Sequence, residues 1–160
     1  MSSEAGFNLV EIGMVTLIIG LLASLALPVF QRTLVASRAS TIANDLRTFA
    51  AAFQNYHQQH GSYPPEAEIG ELPPAMADAL GATAWRRITP LGGYYNWEYN
   101  RISAGVRYTA GIGIRTKGED RVTTDLSHLL AIDRLIDDGN LSTGSFFIGI
   151  GNEPFLAIER

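Results

Sequence analysis

Two groups of residues in this sequence have types and spacings that could do chemistry, and the first lies at the N-terminus. Glycine lets the backbone lie extended, so a peptidase could cut the bond between Gly6 and Phe7. The cut would leave an ammonium group on Phe7, about one helical turn from the carboxylate of Glu11. The two groups could then pair within one chain or between neighbouring chains. Alternatively, Glu11 closes a capping box with Asn8, three residues before it.

The second group is a dense cluster of oxygen-bearing side chains late in the chain. Its members are Asp133, Asp137, Asp138, Asn140, Ser142 and Thr143. Acidic groups at the C-terminal end of a helix oppose the helix dipole, so a bound cation or a nearby arginine would relieve them. The candidate calcium ligands are Asp137, Asp138, Asn140 and Ser142, although their spacing is not that of an EF-hand loop. The alternative is a solvated helix cap that pairs with arginine.

This sequence lacks the residue patterns on which most kinds of enzymatic chemistry depend. The chain has no cysteine, and its three histidines, His57, His60 and His128, show no spacing that converges on a metal ion. There is no serine elbow and no phosphate-binding loop, so we expect no catalytic residues and no enzyme. The net charge of −4 is mild and the twelve Lys and Arg residues are scattered, which gives no case for nucleic-acid binding. The adjacent pair Arg86-Arg87 is expected to be solvated.

The N-terminal group has to be positioned by a long apolar segment. From Ile12 to Phe30, nineteen residues follow one another without a formal charge. As a helix they cover roughly 28 Å, which is close to the hydrocarbon thickness of a bilayer, so this segment is predicted to cross a membrane. Pro28 removes one backbone donor and is expected to bend or loosen the helix. A carboxylate at the start of such a span, as Glu11 is, normally has a partner.

After Pro28 the pattern changes from apolar on all sides to amphipathic. Apolar residues now recur at spacings of four and three, which places them on one stripe of a helix that reaches His60. The stripe consists of Val35, Ala39, Ile42, Leu46, Phe49, Phe53 and Tyr56. Either a following domain or a coiled coil of several chains would cover it, and about 100 residues remain for a domain. Gly61 and Pro64 are expected to end the helix.

The remaining chain, residues 61–160, is predicted to form one small domain around a sheet. Tyr94–Tyr99 has the aromatic richness of a strand, and its rings are expected to pack in a core, although such a row can also be a ligand platform. Val106–Arg115 alternates apolar with other residues, which predicts a second strand. Gly111 and Gly113 share its other face and indicate the close approach of another backbone or a large side chain.

A second helix and two further strands complete the predicted domain. Thr124 or Asp125 can cap the helix, and Ser145–Ile150 and Phe155–Ile158 are predicted to be the strands. The expected fold class is therefore α+β. A long N-terminal helix, half of it transmembrane, would pack on a small antiparallel sheet of about four strands, with a second helix late in the chain.

Two of these segments resemble those of a known family. The segment Gly6–Glu11 reads GFNLVE and is followed by an apolar run that contains Pro28. It resembles the class III signal of type IV pilins and of type II secretion pseudopilins. The segment Gly61–Pro64, at the end of the long helix, is similar to the GxYP segment of the major pseudopilin branch. Major pseudopilins also bind calcium in their C-terminal region, which agrees with the acidic cluster.

The resemblance implies a membrane protein that is processed and then assembles. A prepilin peptidase would cut after Gly6 and methylate Phe7, Glu11 would register subunits in a helical filament, and Pro28 would soften or kink the helix. The implied divisions are a leader peptide (1–6), a transmembrane and filament-core helix (7–30), the amphipathic half of the same helix (31–60) and a pilin-like globular domain (61–160).

The expected function is that of a structural subunit of a type IV pilus-like filament or a type II secretion pseudopilus. By the same resemblance, its partners would be copies of itself, other pilins or pseudopilins, the prepilin peptidase and, indirectly, an inner-membrane platform protein and an assembly ATPase. The helix would lie in the inner membrane with the domain in the periplasm, before extraction into a periplasmic or cell-surface filament. Arg32 and Arg38 follow the span and, by the positive-inside rule alone, would keep the domain in the cytoplasm. The alternative function is a signal-anchored periplasmic binding module that does not polymerise.

Overall fold

The secondary structure follows the predicted order. The computed structural model describes residues 8–81, 85–103 and 106–160. Its helices are α1 (Leu9–His60), α2 (Ala77–Leu80, preceded by a 3₁₀ turn at Pro74–Met76) and α3 (Leu126–Ile136). Its strands are β1 (Tyr94–Ser103), β2 (Val106–Arg115), β3 (Phe146–Ile148) and β4 (Pro154–Glu159). The α+β fold is therefore confirmed, with α3 capped by Asp125, whose carboxylate accepts the backbone N–H of Ser127.

The four strands form one open antiparallel sheet in the order β1-β2-β4-β3. β1 and β2 make a long hairpin whose register runs from Tyr94 opposite Arg115 to Ser103 opposite Val106. The register between β2 and β4 shifts between Ala110 and Gly111. In the described chain, β1 and β3 are therefore the two edges of the sheet.

The chain divides into two compact units whose boundary falls within α1. The first unit ends at Leu34, and its described part from Leu9 onward is helix alone. The second unit runs from Val35 to Arg160 and contains the sheet. α1 continues past Pro28, which therefore lies inside the helix. The bend expected at Pro28 stays a prediction.

The predicted stripe of α1 packs against the sheet in the second unit. Its fully buried members are Ala39, Ile42, Leu46, Phe49 and Phe53. Phe53 stacks on Trp97 of β1, with ring centroids 3.8 Å apart and planes 2° from parallel. Phe49 meets Tyr95 edge to face at 5.0 Å. Of the two covers expected for the stripe, the chain's own domain is the one observed, and the aromatic row of β1 supplies core side chains.

The two glycines of β2 accommodate large side chains on the other face of the sheet. A Cβ at Gly111 would collide with the ring of Phe155. A Cβ at Gly113 would lie 3.0 Å from both Arg115 Nε and Glu98 Oε1. The predicted close approach at both glycines is confirmed, by an aromatic ring at the first and by an ion pair at the second.

A second, smaller aromatic cluster lies around Phe155. Its buried members are Tyr108, Phe147, Phe155 and Ala157. The alternation in β2 predicts that Tyr108 shares a face with Ala110, whose neighbours belong to the main core. Tyr108 instead packs on Phe147 at 5.1 Å. The register shift after Ala110 accounts for this difference, because such irregularities re-aim the side chains of a strand.

Candidate functional site

The entrance to α1 is closed by a reciprocal capping box. Asn8 donates its backbone N–H to Glu11 Oε2 at 3.4 Å, and Val10 donates its backbone N–H to Asn8 Oδ1 at 3.3 Å. The predicted Asn8–Glu11 pair is therefore formed, and it satisfies backbone groups that the start of a helix leaves open. Gly6 and Phe7 lie outside the described residues. The ion pair between Phe7 and Glu11 consequently stays a prediction.

The apolar part of α1 has no cover in its own unit. From Leu9 to Leu34 all the large apolar side chains are exposed. The hydroxyls in this segment bond back to the helix itself: Thr16 donates to the carbonyls of Ile12 and Gly13, and Ser24 donates to that of Leu21. Among the described helices, α1 is the one long and apolar enough to cross a membrane. Because these hydroxyls are hydrogen-bonded within the helix, the surface can lie in lipid without leaving them unsatisfied.

The acidic cluster brings three carboxylates together at the end of α3. Asp133, Asp137 and Asp138 each offer an oxygen within 4.8 Å of the others. Asp133 is fully buried, and neither of its carboxylate oxygens accepts a hydrogen bond of ordinary geometry, although the nearby backbone N–H of Gly139 offsets part of the effect of burial. Burial, together with the neighbouring carboxylates of Asp138 and Asp137, raises the pKa of Asp133 above its ordinary value. A cation within reach of the three groups would satisfy the orphaned oxygens and offset the repulsion.

The loop after α3 is built by the other carboxylates. Asp137 accepts the backbone N–H groups of Ser145 and Phe146, and the bond from Ser145 lowers the pKa of Asp137. Asp138 accepts the backbone N–H of Asn140 at 2.8 Å and the hydroxyl of Thr143 at 2.5 Å. These bonds hold the acidic groups in place. Asp137 Oδ2 is fully used by them, whereas Asp137 Oδ1 accepts none of them and keeps its lone pairs for a ligand.

Two other predicted ligands play different parts in this loop. The side-chain oxygen of Asn140 accepts the backbone N–H of Ser142 at 3.2 Å, so both residues shape the turn. Arginine is also present, as the alternative predicted, because Arg160 donates to the carbonyl of Gly144 and helps to lower the pKa of Asp137. The set that the geometry favours for a cation is therefore Asp133 with Asp137 and Asp138.

Sequence reasoning included Asp133 in the cluster but left it out of the candidate ligand set. The helical spacing of Asp133 could have shown that its side chain lies on the buried face of α3. Asp133 follows Leu129 by four residues and Ile132 by one, which places it on the buried face of α3. A charged residue on such a face normally has a partner, so its position alone marked it as exceptional.

Two of the three histidines stack on tyrosine rings. His57 stacks on Tyr63 with ring centroids 4.3 Å apart, and His60 stacks on Tyr56 at 4.1 Å. His128 Nδ1 lies 3.7 Å from a carboxylate oxygen of Asp125. In the described part of the chain, the structure does not bring the three rings to one point.

An open groove of about 850 Å³ lies beside β1, and a binding module would be expected to hold a ligand in such a groove. Arg115 lies in it and pairs with Glu98 at 2.5 Å and with Glu153 at 3.2 Å. Glu153 also accepts the backbone N–H of Thr116 at 2.8 Å. This ion-pair network was not predicted from the sequence, and it ties β1, β2 and the turn before β4 together.

The predicted sites therefore form two separate places, one at the entrance to α1 and one at the end of α3. At the first, Asn8 and Glu11 meet as a cap, and at the second, the acidic side chains meet around Asp133. No protein-family model, no curated protein and no solved structure shows a significant match to this chain.

Proposed function

We propose that this chain is a structural subunit of a type IV pilus-like filament or a type II secretion pseudopilus. The observation that carries the proposal is the apolar surface of α1 from Leu9 to Leu34, which is exposed while the stripe from Ala39 onward is buried. Such a surface is stable in lipid. In a filament it would exchange contacts with lipid for contacts with the same helix of neighbouring chains.

The proposed assembly begins with processing at the N-terminus. A prepilin peptidase would cut after Gly6 and methylate Phe7, which creates a cation at the start of the helix. In the free subunit Glu11 accepts the N–H of Asn8 at the capping box. In the filament the Phe7 ammonium of a neighbouring chain would neutralise Glu11, because an unpaired carboxylate among apolar helices is costly.

The proposed membrane location follows from the same surface, whereas the periplasmic side rests on the resemblance of the segment Gly6–Glu11 to a class III signal. The helix would lie in the inner membrane and the domain in the periplasm, until a platform protein and an assembly ATPase extract the subunit. Glu11 is the only acid between residues 9 and 34. Its carboxylate is therefore the single group on which electrostatic registration in this segment would depend.

Replacing Glu11 tests this function without touching the domain. We expect Glu11→Ala to remain folded and membrane-inserted, but to form filaments at less than a tenth of the parent level when subunits and assembly proteins are expressed together. Glu11→Gln keeps an acceptor for the capping bond and loses the charge, so it separates the two roles. Normal filament formation by both variants would reject the proposed pairing.

A calcium ion at the end of α3 is part of the proposal, since the residues present fit one. The buried carboxylate of Asp133, which accepts no hydrogen bond of ordinary geometry and lies close to those of Asp137 and Asp138, supports it. All three are hard oxygen donors of the kind that calcium prefers. When bound, the ion would supply positive charge at the C-terminal end of α3, where the helix dipole favours it.

Thermal unfolding tests the calcium proposal. Calcium should raise the melting temperature of the parent and a chelator should lower it, because a ligand that binds only the folded chain stabilises it. Asp133→Asn should abolish this response, whereas Asp78→Asn, at an exposed position on α2, should leave it intact. An unchanged melting temperature of the parent on chelation would reject the calcium site and leave the filament proposal standing.

The second candidate function, a signal-anchored binding module, has one observation in its favour, which is the groove beside β1. Two of the four rings in the aromatic row that would have served as its platform, Tyr95 and Trp97, are buried in the core. The two functions differ in the N-terminus of the mature protein, which begins at Phe7 in the first and at Met1 in the second.

A further inference from the structure

The edge of the sheet at β1 is covered by a segment of the same chain. We call residues 64–71 the strap. Near its end, Gly70 donates its backbone N–H to the carbonyl of Tyr95 at 3.1 Å. At its beginning, the carbonyl of Pro64 accepts the indole N–H of Trp97 at 2.9 Å. The strap therefore runs beside the strand whose outer backbone groups would otherwise be open to another chain.

Glu66 fills the place of a strand partner between these two contacts. One of its carboxylate oxygens, Oε1, accepts both the backbone N–H of Tyr99 at 3.2 Å and the side chain of Arg101 at 2.8 Å. Backbone groups of alternate residues face the same side of a strand, so the N–H of Tyr99 faces the edge that the carbonyl of Tyr95 faces. A side-chain oxygen thus takes the bond that the carbonyl of a neighbouring strand would take.

The strap covers the edge without becoming a strand. Pro64 and Pro65 have no backbone N–H, so this part of the strap offers no donors to a further chain. The strap is also fastened outside β1, because Lys117 donates to the carbonyl of Ile69 and Trp85 donates to that of Glu71. These features end the sheet at β1, which is how proteins protect exposed edges.

We propose that the strap is a plug for the β1 edge, and that Glu66 keeps this edge from pairing with the same edge of a second copy. A second copy fits because two identical edges can pair antiparallel about a two-fold axis, each offering the groups that the other lacks. Ile102 and Tyr99 are exposed at this edge and would gain apolar contacts. The inference goes beyond the proposed function, since it concerns the sheet and not the membrane helix.

The absence of cysteine makes a direct test possible. A nitroxide label on Ile102→Cys, at an exposed position on β1, reports when two edges meet in the full chain in detergent micelles. Adding Glu66→Ala should produce a new population of label-to-label distances below about 30 Å, the length of one ten-residue strand. We expect the dimeric fraction to rise at least about fivefold over the labelled parent, which matches the upper end of the contribution of one cross-strand pair.

Two matched variants define the outcome. Glu66→Gln keeps an oxygen that can accept from Tyr99 and should behave like the parent. Glu68→Ala removes an exposed carboxylate two residues further on and should also behave like the parent. The proposal is overturned if Glu66→Ala leaves the distances unchanged, or if Glu68→Ala changes them equally. Association driven by the membrane helix is common to all variants and cancels in the comparison.

Hydrogen exchange supplies a second readout. At a protein concentration low enough to keep Glu66→Ala monomeric, the amide of Tyr99 should exchange at least about tenfold faster than in the parent, while the amides in the β2–β4 ladder keep their protection. An unchanged rate at Tyr99 would overturn the proposal. Loss of protection throughout the sheet would overturn it too, because Glu66 would then hold the fold together and not the edge alone.

Discussion

The two halves of α1 have the same backbone conformation and opposite surroundings. In the first half Leu22 is 60% exposed, whereas in the second half Phe53 is 0% exposed. Both halves are rich in apolar residues, but residues 12–30 carry no charge, whereas the second half contains Arg38, Asp45 and Arg47. One sheet can cover the apolar stripe of the second half, but it cannot cover a surface that is apolar on all sides. The comparison teaches that one half needs a domain and the other needs lipid or neighbouring helices.

Removing the first half of α1 should have the largest effect. A chain that begins at Arg32 should be soluble and monomeric without detergent, because it keeps the covered stripe and loses the exposed apolar surface. The measurement is light scattering after size-exclusion chromatography. Precipitation or tight oligomers would mean that the second half needs other chains as well.

Shortening one apolar side chain in each half of α1 compares how much the two halves contribute to stability. Both variants are made in the full chain and measured in detergent. Phe53→Ala removes a ring that stacks on Trp97, so it should lower the free energy of unfolding by about 3–5 kcal/mol. Leu22→Ala should change it by less than about 0.5 kcal/mol. Urea unfolding followed by the fluorescence of the two tryptophans measures both. Equal effects would contradict the division of α1.

Glutamates in the two units should also behave differently. Glu98 is buried against Arg115, so Glu98→Ala should cost about 3 kcal/mol of domain stability. Glu11→Ala should leave the unfolding of the domain unchanged and affect assembly alone. The same urea experiment checks both variants, and destabilisation by Glu11→Ala would link the two units energetically.

The smallest expected effect concerns the end of the covered half, where His57 stacks on Tyr63. Burial and the interaction with Glu159 raise the pKa of Tyr63 to about 12. The fold favours the neutral phenol, so this contribution is complete below pH 10 and is lost as the pH rises from about 10 to 12. Tyr63→Phe should therefore make unfolding less dependent on pH in that range. A decline as steep as the parent's would contradict this.

Local patterns predicted most of the fold. The spacing of the stripe from Ala39 to Phe53 predicted the buried face of α1, and the alternation in β2 predicted a close approach at Gly111 and Gly113 without identifying the side chains that make it. These features depend on residues close in sequence, for which helical and strand periods are reliable guides.

The contacts that could not be predicted join residues far apart in sequence. Glu66 meets Tyr99 across 33 positions, and Arg115 meets Glu153 across 38. No local period encodes such pairs, because the path of the chain between the partners decides them. Asp133 is the exception, since its place on the buried face of α3 was readable from the spacing and only its lack of a partner required the structure.

The mass of the mature protein isolated from cells tests the central claim most directly. If α1 serves first as a membrane span and then as a filament core, the chain should begin at Phe7, lack its first six residues and carry one N-terminal methyl group. A mature protein that still begins at Met1 and never polymerises would contradict the account and favour an anchored binding module.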